Sequence, residues 1–212
     1  MAKIGRNQHV FIAGGTGTGK TFLMQYFLST NEKLTLILDT KGTFEWPHVL
    51  PEHKALIRTF AELPQAIADG YKRIIYRPIY QELNDDYYNQ FLMYAYNLGN
   101  CTVGIDEVKQ VTHSASESGM VEGYKAILTR GRELGVNVWS ASQRPSSIPV
   151  VVYSESSHWF IFRLNAKPDR ARIAEYTGYE QFENPVTGHD FWYYDADENT
   201  SPVLSKLKVK GG

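Results

Sequence analysis

Gly14-Gly15-Thr16-Gly17-Thr18-Gly19-Lys20-Thr21 fills every fixed position of G-x-x-x-x-G-K-[ST]. Glycines let such a loop curl until successive backbone N–H groups point at phosphate oxygens, and the following helix adds its positive end. In that pattern Lys20 reaches the β and γ phosphates, and the Thr21 hydroxyl ligates Mg2+. Gly14, Gly15, Thr16, Gly17, Thr18, Gly19, Lys20 and Thr21 are therefore the candidate ATP-binding residues. The flanks agree with the motif. Gln8–Ala13 (QHVFIA) is a short apolar run suited to a buried strand. From Lys20 onward, Phe22, Leu23, Tyr26 and Phe27 fall on one helical face.

Working outward, the same strand–helix alternation continues. Leu34–Leu38 (LTLIL) reads as a second buried strand, closing at Asp39-Thr40-Lys41-Gly42. Ala61–Ala68 is expected to be helical, and Arg73–Tyr76 (RIIY) is a strand stopped by Pro78. Asn84 offers an N-cap with Asp85 and Asp86 in the first turn, where the helix dipole favours acids. Thr102–Ile105 is a strand, Val121–Leu134 a helix ended by Gly135, and Val136–Ser140 a further strand. His158–Phe162 (HWFIF) adds another, and Pro168 and Gly178 bracket a last helix. His189–Val209 reads as extended structure with turns. Strands alternating with helices predict an α/β fold with a mostly parallel central sheet flanked by helices. No linker or repeat interrupts residues 1–212, so a single domain is expected.

A second motif supplies acids. Thr102-Val103-Gly104-Ile105 is an apolar strand that delivers Asp106 and Glu107 at its carboxyl end. In open parallel sheets ligands sit at that edge, so the pair is expected beside the phosphate loop. Asp106 is the candidate Mg2+ ligand, directly or through water. Glu107 is the candidate base that orients and deprotonates an attacking water. A glutamate adjacent to the metal-binding aspartate favours hydrolysis over transfer to a small acceptor.

Val136-Asn137-Val138-Trp139-Ser140-Ala141-Ser142-Gln143-Arg144-Pro145 is a strand that finishes in small polar residues. The Gln143 amide can both donate and accept, so it can report the γ-phosphate to neighbouring loops. Just upstream lie Arg130 and Arg132, at a helix end. Arginines so placed are candidates for fingers into a neighbouring subunit's site, worth ~10³–10⁵ in rate. Arg132 is the first candidate and Arg130 the second; arginines in a last helical turn also simply complement the dipole.

Composition limits the alternatives. With 42% apolar and 21% charged residues the chain is globular rather than disordered. No apolar run approaches the ~20 residues that span a bilayer, and MAKIGRNQ lacks a signal-peptide core. The lone Cys101 allows no internal disulfide, which suits a reducing cytoplasm. A protein that coats nucleic acid is usually basic overall, and the formal net charge of −1 lacks that signature. Any contact with DNA is then local and built by assembly.

Taken together, these segments resemble the HerA/FtsK superfamily of DNA-pumping ATPases. The resemblance rests on GGTGTGKT, on the TVGIDE strand, and above all on GRELGVNVWSASQRPSSIP at residues 131–149. LDTKG at 38–42 and LNAKPDRARIAEYTG at 164–178 are similar to further segments of that superfamily, in order, over nearly the whole chain. The resemblance implies a RecA-like additional-strand (ASCE) P-loop NTPase, with the Gln143 strand between the phosphate-loop strand and the Asp106 strand. It implies a homo-oligomeric ring, usually a hexamer, with ATP at subunit boundaries and double-stranded DNA as the substrate that is moved. A core without extra domains is similar to viral genome-packaging ATPases, which act in the host cytoplasm and at the virion vertex alongside capsid or membrane-vertex proteins. The alternatives are a cellular or plasmid translocase of the same superfamily and a non-DNA motor of filamentous-phage assembly.

DNA-facing residues are less legible. Lys109–Met120 (KQVTHSASESGM) is a small, polar stretch, with Lys109 and His113 as candidate contacts; Lys41 is another. Lys206, Lys208 and Lys210 alternate along the tail, as a solvated face also does. Asn165-Ala166-Lys167-Pro168-Asp169 is one residue too long for the guanine-reading N-K-x-D, which argues against GTP. The six histidines show no metal-ligand spacing with one another or with Cys101. A small-molecule kinase would share the phosphate loop, but Glu107 beside Asp106 and the turn at Gln143-Arg144-Pro145 speak against it.

Overall fold

The computed structural model describes residues 4–207. Among the described residues nine strands form one sheet: β1 (His9–Ala13), β2 (Leu34–Leu38), β3 (Lys54–Ile57), β4 (Arg73–Tyr76), β5 (Cys101–Ile105), β6 (Asn137–Ser142), β7 (Ser156–Phe162), β8 (Asp190–Asp195) and β9 (Val203–Lys206). Six α-helices accompany them among the same residues: α1 (Lys20–Ser29), α2 (Leu63–Ala68), α3 (Asp85–Leu98), α4 (Glu122–Arg130), α5 (Val150–Ser154) and α6 (Lys167–Thr177). The strand order is β3-β4-β2-β5-β6-β1-β7-β8-β9. All pairs from β3 to β7 are parallel, and only β7–β8 and β8–β9 are antiparallel. This is the mostly parallel α/β sheet expected, with β6 between β1 and β5 as the additional-strand arrangement requires.

The central strands read as unbroken apolar runs because both faces are covered. Along β1, Val10 and Ile12 join one core with Leu23, Met24 and Leu28 of α1. Phe11 and Ala13 join the other, with residues of α2, α3, α4, α5 and α6. The two-residue period of the strand thus divides one segment between two layers. Gly104 sets how closely α1 approaches: a Cβ there would lie 2.4 Å from the Ile37 Cδ1 atom and 3.3 Å from the Met24 sulfur. The glycine lets α1 settle over β5 at Met24 and Leu28.

Local signals behave as their chemistry dictates. Asn84 caps α3, its side-chain oxygen accepting from the N–H groups of Asp86 (3.1 Å) and Tyr87 (3.3 Å). Gly178, at φ 76°, closes α6 in the left-handed conformation. The helix expected over Val121–Leu134 is α-helical to Arg130 and tightens into a 3-10 turn over Gly131–Leu134 before Gly135. The helix read over Ala61–Ala68 likewise starts as a 3-10 turn at Phe60–Glu62. β3 and α5 were not anticipated. β3 is a four-residue edge strand in which only Ile57 is fully buried, so its apolar signal is short. The tail read as extended is the β8–β9 hairpin, and it packs back on the sheet through β7.

Candidate functional site

Parallel pairing brings five strand ends to one edge. Leu38 lies opposite Ile105, and Ala13 lies opposite both Ser142 and Ile161. The residues that follow these ends therefore meet: Gly14, Asp39, Asp106, Gln143 and Arg163. This is the carboxyl edge at which open α/β sheets hold ligands.

The phosphate loop is anchored on both sides. The Gly14 N–H donates to the Ser142 carbonyl at 3.1 Å, and the Gly15 N–H donates to the Arg163 carbonyl at 2.8 Å. Gly17 (φ 73°) and Gly19 (φ 115°) take left-handed conformations that a side chain would strain. At Gly19 a Cβ would also meet Leu207 at 2.8 Å. The Thr18 hydroxyl donates to the Gly15 carbonyl at 2.9 Å, and its own carbonyl meets His189 Nδ1 at 3.1 Å. The tip at Thr16 and Gly17 stays exposed.

Around this loop the charged groups are nearly buried: Lys20 is 7% exposed, Asp106 3% and Glu107 8%. The Lys20 ammonium donates to the carbonyls of Gly14 (2.7 Å) and Gly15 (2.9 Å). Burial, aided by the nearby Lys41 charge and opposed by Glu107 and Asp106, lowers its pKa to about 8. The Thr21 hydroxyl donates to Asp106 Oδ1 at 2.8 Å, joining the two motifs. Glu107 Oε2 pairs with the Lys41 ammonium at 2.9 Å. The Thr16 hydroxyl donates to Gln143 Oε1 at 3.0 Å. Each residue read as part of a hydrolytic centre, from Gly14 to Thr21 with Asp106, Glu107 and Gln143, is thus at this edge.

The donor set fits Mg2+ and a triphosphate. A hydroxyl and a carboxylate oxygen already in contact are the hard oxygen ligands that Mg2+ takes one or two at a time, alongside phosphate oxygens. A curled, glycine-kinked loop at a helix N-terminus with a buried lysine is built for phosphates.

The arginines lie elsewhere. The Arg132 guanidinium donates to the Glu155 carbonyl and to the Ser157 hydroxyl (3.4 Å), at the start of β7. That is the amino-terminal edge of the sheet, opposite the phosphate loop. Arg130, at the end of α4, is exposed, and no hydrogen bond or ion pair holds its side chain among the described residues. Neither side chain is bonded to the phosphate loop of its own chain among the described residues.

Candidate DNA contacts are held within the chain. Lys109 donates to the carbonyls of His113 (3.4 Å) and Ser147 (3.3 Å), and His113 meets Asp85 at 2.7 Å. A bridge between Thr112 and Met120 closes the intervening segment. Lys206 sits 3.7 Å from Asp190; Lys208 and Lys210 lie outside the described residues. The cavity of ≈ 400 Å³ lined by Phe44, Trp46, Lys54, Leu56 and Arg77 contains none of the candidate residues. Among the described residues no cluster of histidine, cysteine and acids is arranged to hold a metal, and no helix is long and apolar enough to cross a membrane.

Two contributors escaped the sequence reading. Asp169, the acid of the discarded guanine-reading look-alike, is 2% exposed and accepts from the Ser146 N–H (3.0 Å) and hydroxyl (2.7 Å). It fastens the turn that follows Gln143. Asp39 does the same for the turn that carries Lys41, accepting from the N–H groups three, four and five residues on.

No protein-family model matches the sequence, and no curated protein matches it. Solved structures do. The genome packaging NTPase B204 from Sulfolobus turreted icosahedral virus 2, in complex with ATPγS, is 17% identical and superposes with a TM-score of 0.74, covering 96% of this chain and 98% of that one. The pCW3 conjugation coupling protein TcpA with ATPγS is 17% identical at a TM-score of 0.52, covering 97% of this chain and 62% of that one. The cytoplasmic domain of the Thermomonospora curvata type VII secretion ATPase EccC is 16% identical at 0.57, covering 95% and 25%. The chain is thus similar in structure to DNA-packaging and related P-loop ATPases, and its fold is theirs.

Proposed function

We propose that the chain is an ATPase that converts hydrolysis into movement of double-stranded DNA, acting as a ring of identical subunits. One observation carries the reading: the 2.8 Å hydrogen bond from Thr21 to Asp106 joins the phosphate loop to the acid pair, bringing Lys20 and Glu107 to the same sheet edge. Lys20 binds the β and γ phosphates, and backbone N–H groups of the loop surround them. Thr21 and Asp106 hold Mg2+, which supplies positive charge against the phosphate oxygens when bound. Glu107 takes a proton from water as the water oxygen bonds to the γ-phosphorus and the bond to the bridging oxygen breaks, leaving ADP and phosphate. Gln143 senses the γ-phosphate, and Arg130 or Arg132 reaches into the adjoining subunit's pocket.

Genome packaging into a preformed capsid is the substrate process we favour, with the host cytoplasm and the virion vertex as its places. The match to B204 along 98% of that chain supports this choice over an isolated shared core. The similarity to TcpA supports a second reading, a plasmid or cellular translocase. The test is the rate of phosphate release with and without linear duplex DNA, with the mass of the assembled species measured alongside. Several-fold stimulation by duplex, and an oligomer, are expected. Hydrolysis by a monomer that ignores duplex would refute the motor reading, and phosphate appearing on a metabolite would make the protein a kinase.

A further inference from the structure

Lys41 and Glu107 come from different strands, and their meeting has a structural cause. β2 and β5 are adjacent and in register at Leu38 and Ile105, so the segments that leave them run side by side. The segment after β2 is not free to wander. Asp39, fully buried, accepts from the N–H groups of Gly42 (2.9 Å), Thr43 (3.1 Å) and Phe44 (3.2 Å). Arg77 pairs with the same carboxylate at 2.9 Å and also donates to the Phe44 carbonyl at 2.9 Å. Gly42, at φ 74°, completes the turn. Four donors on one buried acid fix the backbone on which Lys41 stands.

Glu107 needs a partner of this kind. Its side chain is 9% exposed, and Lys41 is the only side-chain partner it has among the described residues. A nearly buried carboxylate held at a single oxygen keeps its second oxygen available. Left without that cation, it would be drawn toward Lys20, whose charge it already feels.

We infer that Lys41 is a positioning residue for hydrolysis: it occupies one oxygen of Glu107 and aims the other at the attacking water. The inference rests on the reading of Glu107 as the base. Lys41 acts through Glu107, the one side chain it bonds among the described residues, so its removal slows the chemical step and spares binding.

Steady-state hydrolysis and ATPγS affinity of the full chain, in wild type, Lys41→Met, Lys41→Arg, Glu107→Gln and the Lys41→Met/Glu107→Gln pair, test this. Lys41→Met is expected to lower kcat at least tenfold with ATPγS affinity within twofold of wild type. Lys41→Arg is expected to recover at least a third of the rate, because a cation returns to the same turn. In the Glu107→Gln background, Lys41→Met is expected to add no further loss. A Lys41→Met rate within twofold of wild type, affinity falling in step with rate, or full additivity in the pair would each overturn the inference. Because Lys41 is on the surface side of the turn, thermal melting of Lys41→Met is expected to match wild type; if it does not, Lys41→Arg failing to recover rate decides against the inference. A Glu107→Gln protein that hydrolyses at wild-type speed would instead remove the base itself, a failure of the proposed function rather than of Lys41 alone.

Discussion

The Thr16 hydroxyl donates to Gln143 Oε1 at 3.0 Å, so the exposed tip of the phosphate loop is tied to the end of the neighbouring strand β6. The turn beyond Gln143 is fastened in its own right, Ser146 to Asp169 and the Tyr153 hydroxyl to the Pro145 carbonyl. A glutamine flanked by an exposed hydroxyl on one side and a pinned turn on the other can exchange the loop hydroxyl for a phosphate oxygen without moving the strand.

Gln143→Ala should therefore separate binding from hydrolysis. The residue is half-buried and its loss leaves no buried group unpaired, so folding stability should change by less than about 0.5 kcal/mol. Hydrolysis should fall tenfold or more while ATPγS affinity stays within threefold. Equal losses in affinity and rate would mean that Gln143 binds nucleotide rather than sensing it.

Lys20 predicts how nucleotide affinity depends on pH. Its pKa of about 8 in the free protein rises when phosphates approach, since anions favour the ammonium. Binding thus takes up a proton wherever the free lysine is neutral. ATPγS affinity should be flat below pH 8 and weaken above it, by up to about tenfold per pH unit. A titration between pH 7 and pH 9.5 that shows constant affinity would dismiss the shift.

His9 predicts a stability change at mild acid. It is fully buried, with Val138 N–H donating to Nδ1 at 3.0 Å and Nε2 facing the Leu128 carbonyl at 3.2 Å. Burial first, then the Arg132 charge, lowers its pKa to about 3, against an ordinary value of 6.5. Below pH 6.5 the unfolded chain takes up a proton that the folded chain refuses, so stability falls as pH falls, down to about pH 3. Between pH 7 and pH 5 the loss from this group is about 2 kcal/mol. His158 is shifted in the same direction by burial, so the useful quantity is the difference from His9→Gln. A glutamine can make both bonds without titrating. Urea midpoints of the variant should change less between pH 7 and pH 5 than those of wild type; identical changes would clear His9.

Much of this was legible in the sequence, for definite reasons. The phosphate loop, Asp106 and Glu107 are announced by residue types whose chemistry is tied to spacing, and strands buried on both faces announce themselves as apolar runs. β3 gave little signal because an edge strand pairs on one side and buries few of its residues. Asp169 was read only as a failed nucleotide motif, because its partner Ser146 lies 23 positions away and no local pattern links them. Lys41 was placed among DNA contacts for the same reason: its pairing with Glu107 depends on β2 and β5 being neighbours, which is a property of topology.

The two arginines call for different outcomes. Arg132 is spent within its own chain, on the Glu155 carbonyl and the Ser157 hydroxyl, and it lies close enough to His9 for its charge to be felt there. Arg130 leaves the same helix end exposed, with nothing on its own chain to hold it among the described residues. Arg132→Ala should then lower stability, by about 1–3 kcal/mol where it strands the Glu155 carbonyl, and depress activity in proportion to the folded fraction. Arg130→Ala should leave the melting temperature alone and, if Arg130 is the finger, cost ~10³ or more in rate. Mixing each variant with wild-type subunits distinguishes the two, because a missing trans finger disables an adjoining pocket that is itself intact. Activity falling faster than the wild-type fraction is expected for Arg130→Ala, and a straight line for Arg132→Ala. The reverse pattern would return the finger to Arg132 and require its bonds to β7 to break when subunits meet.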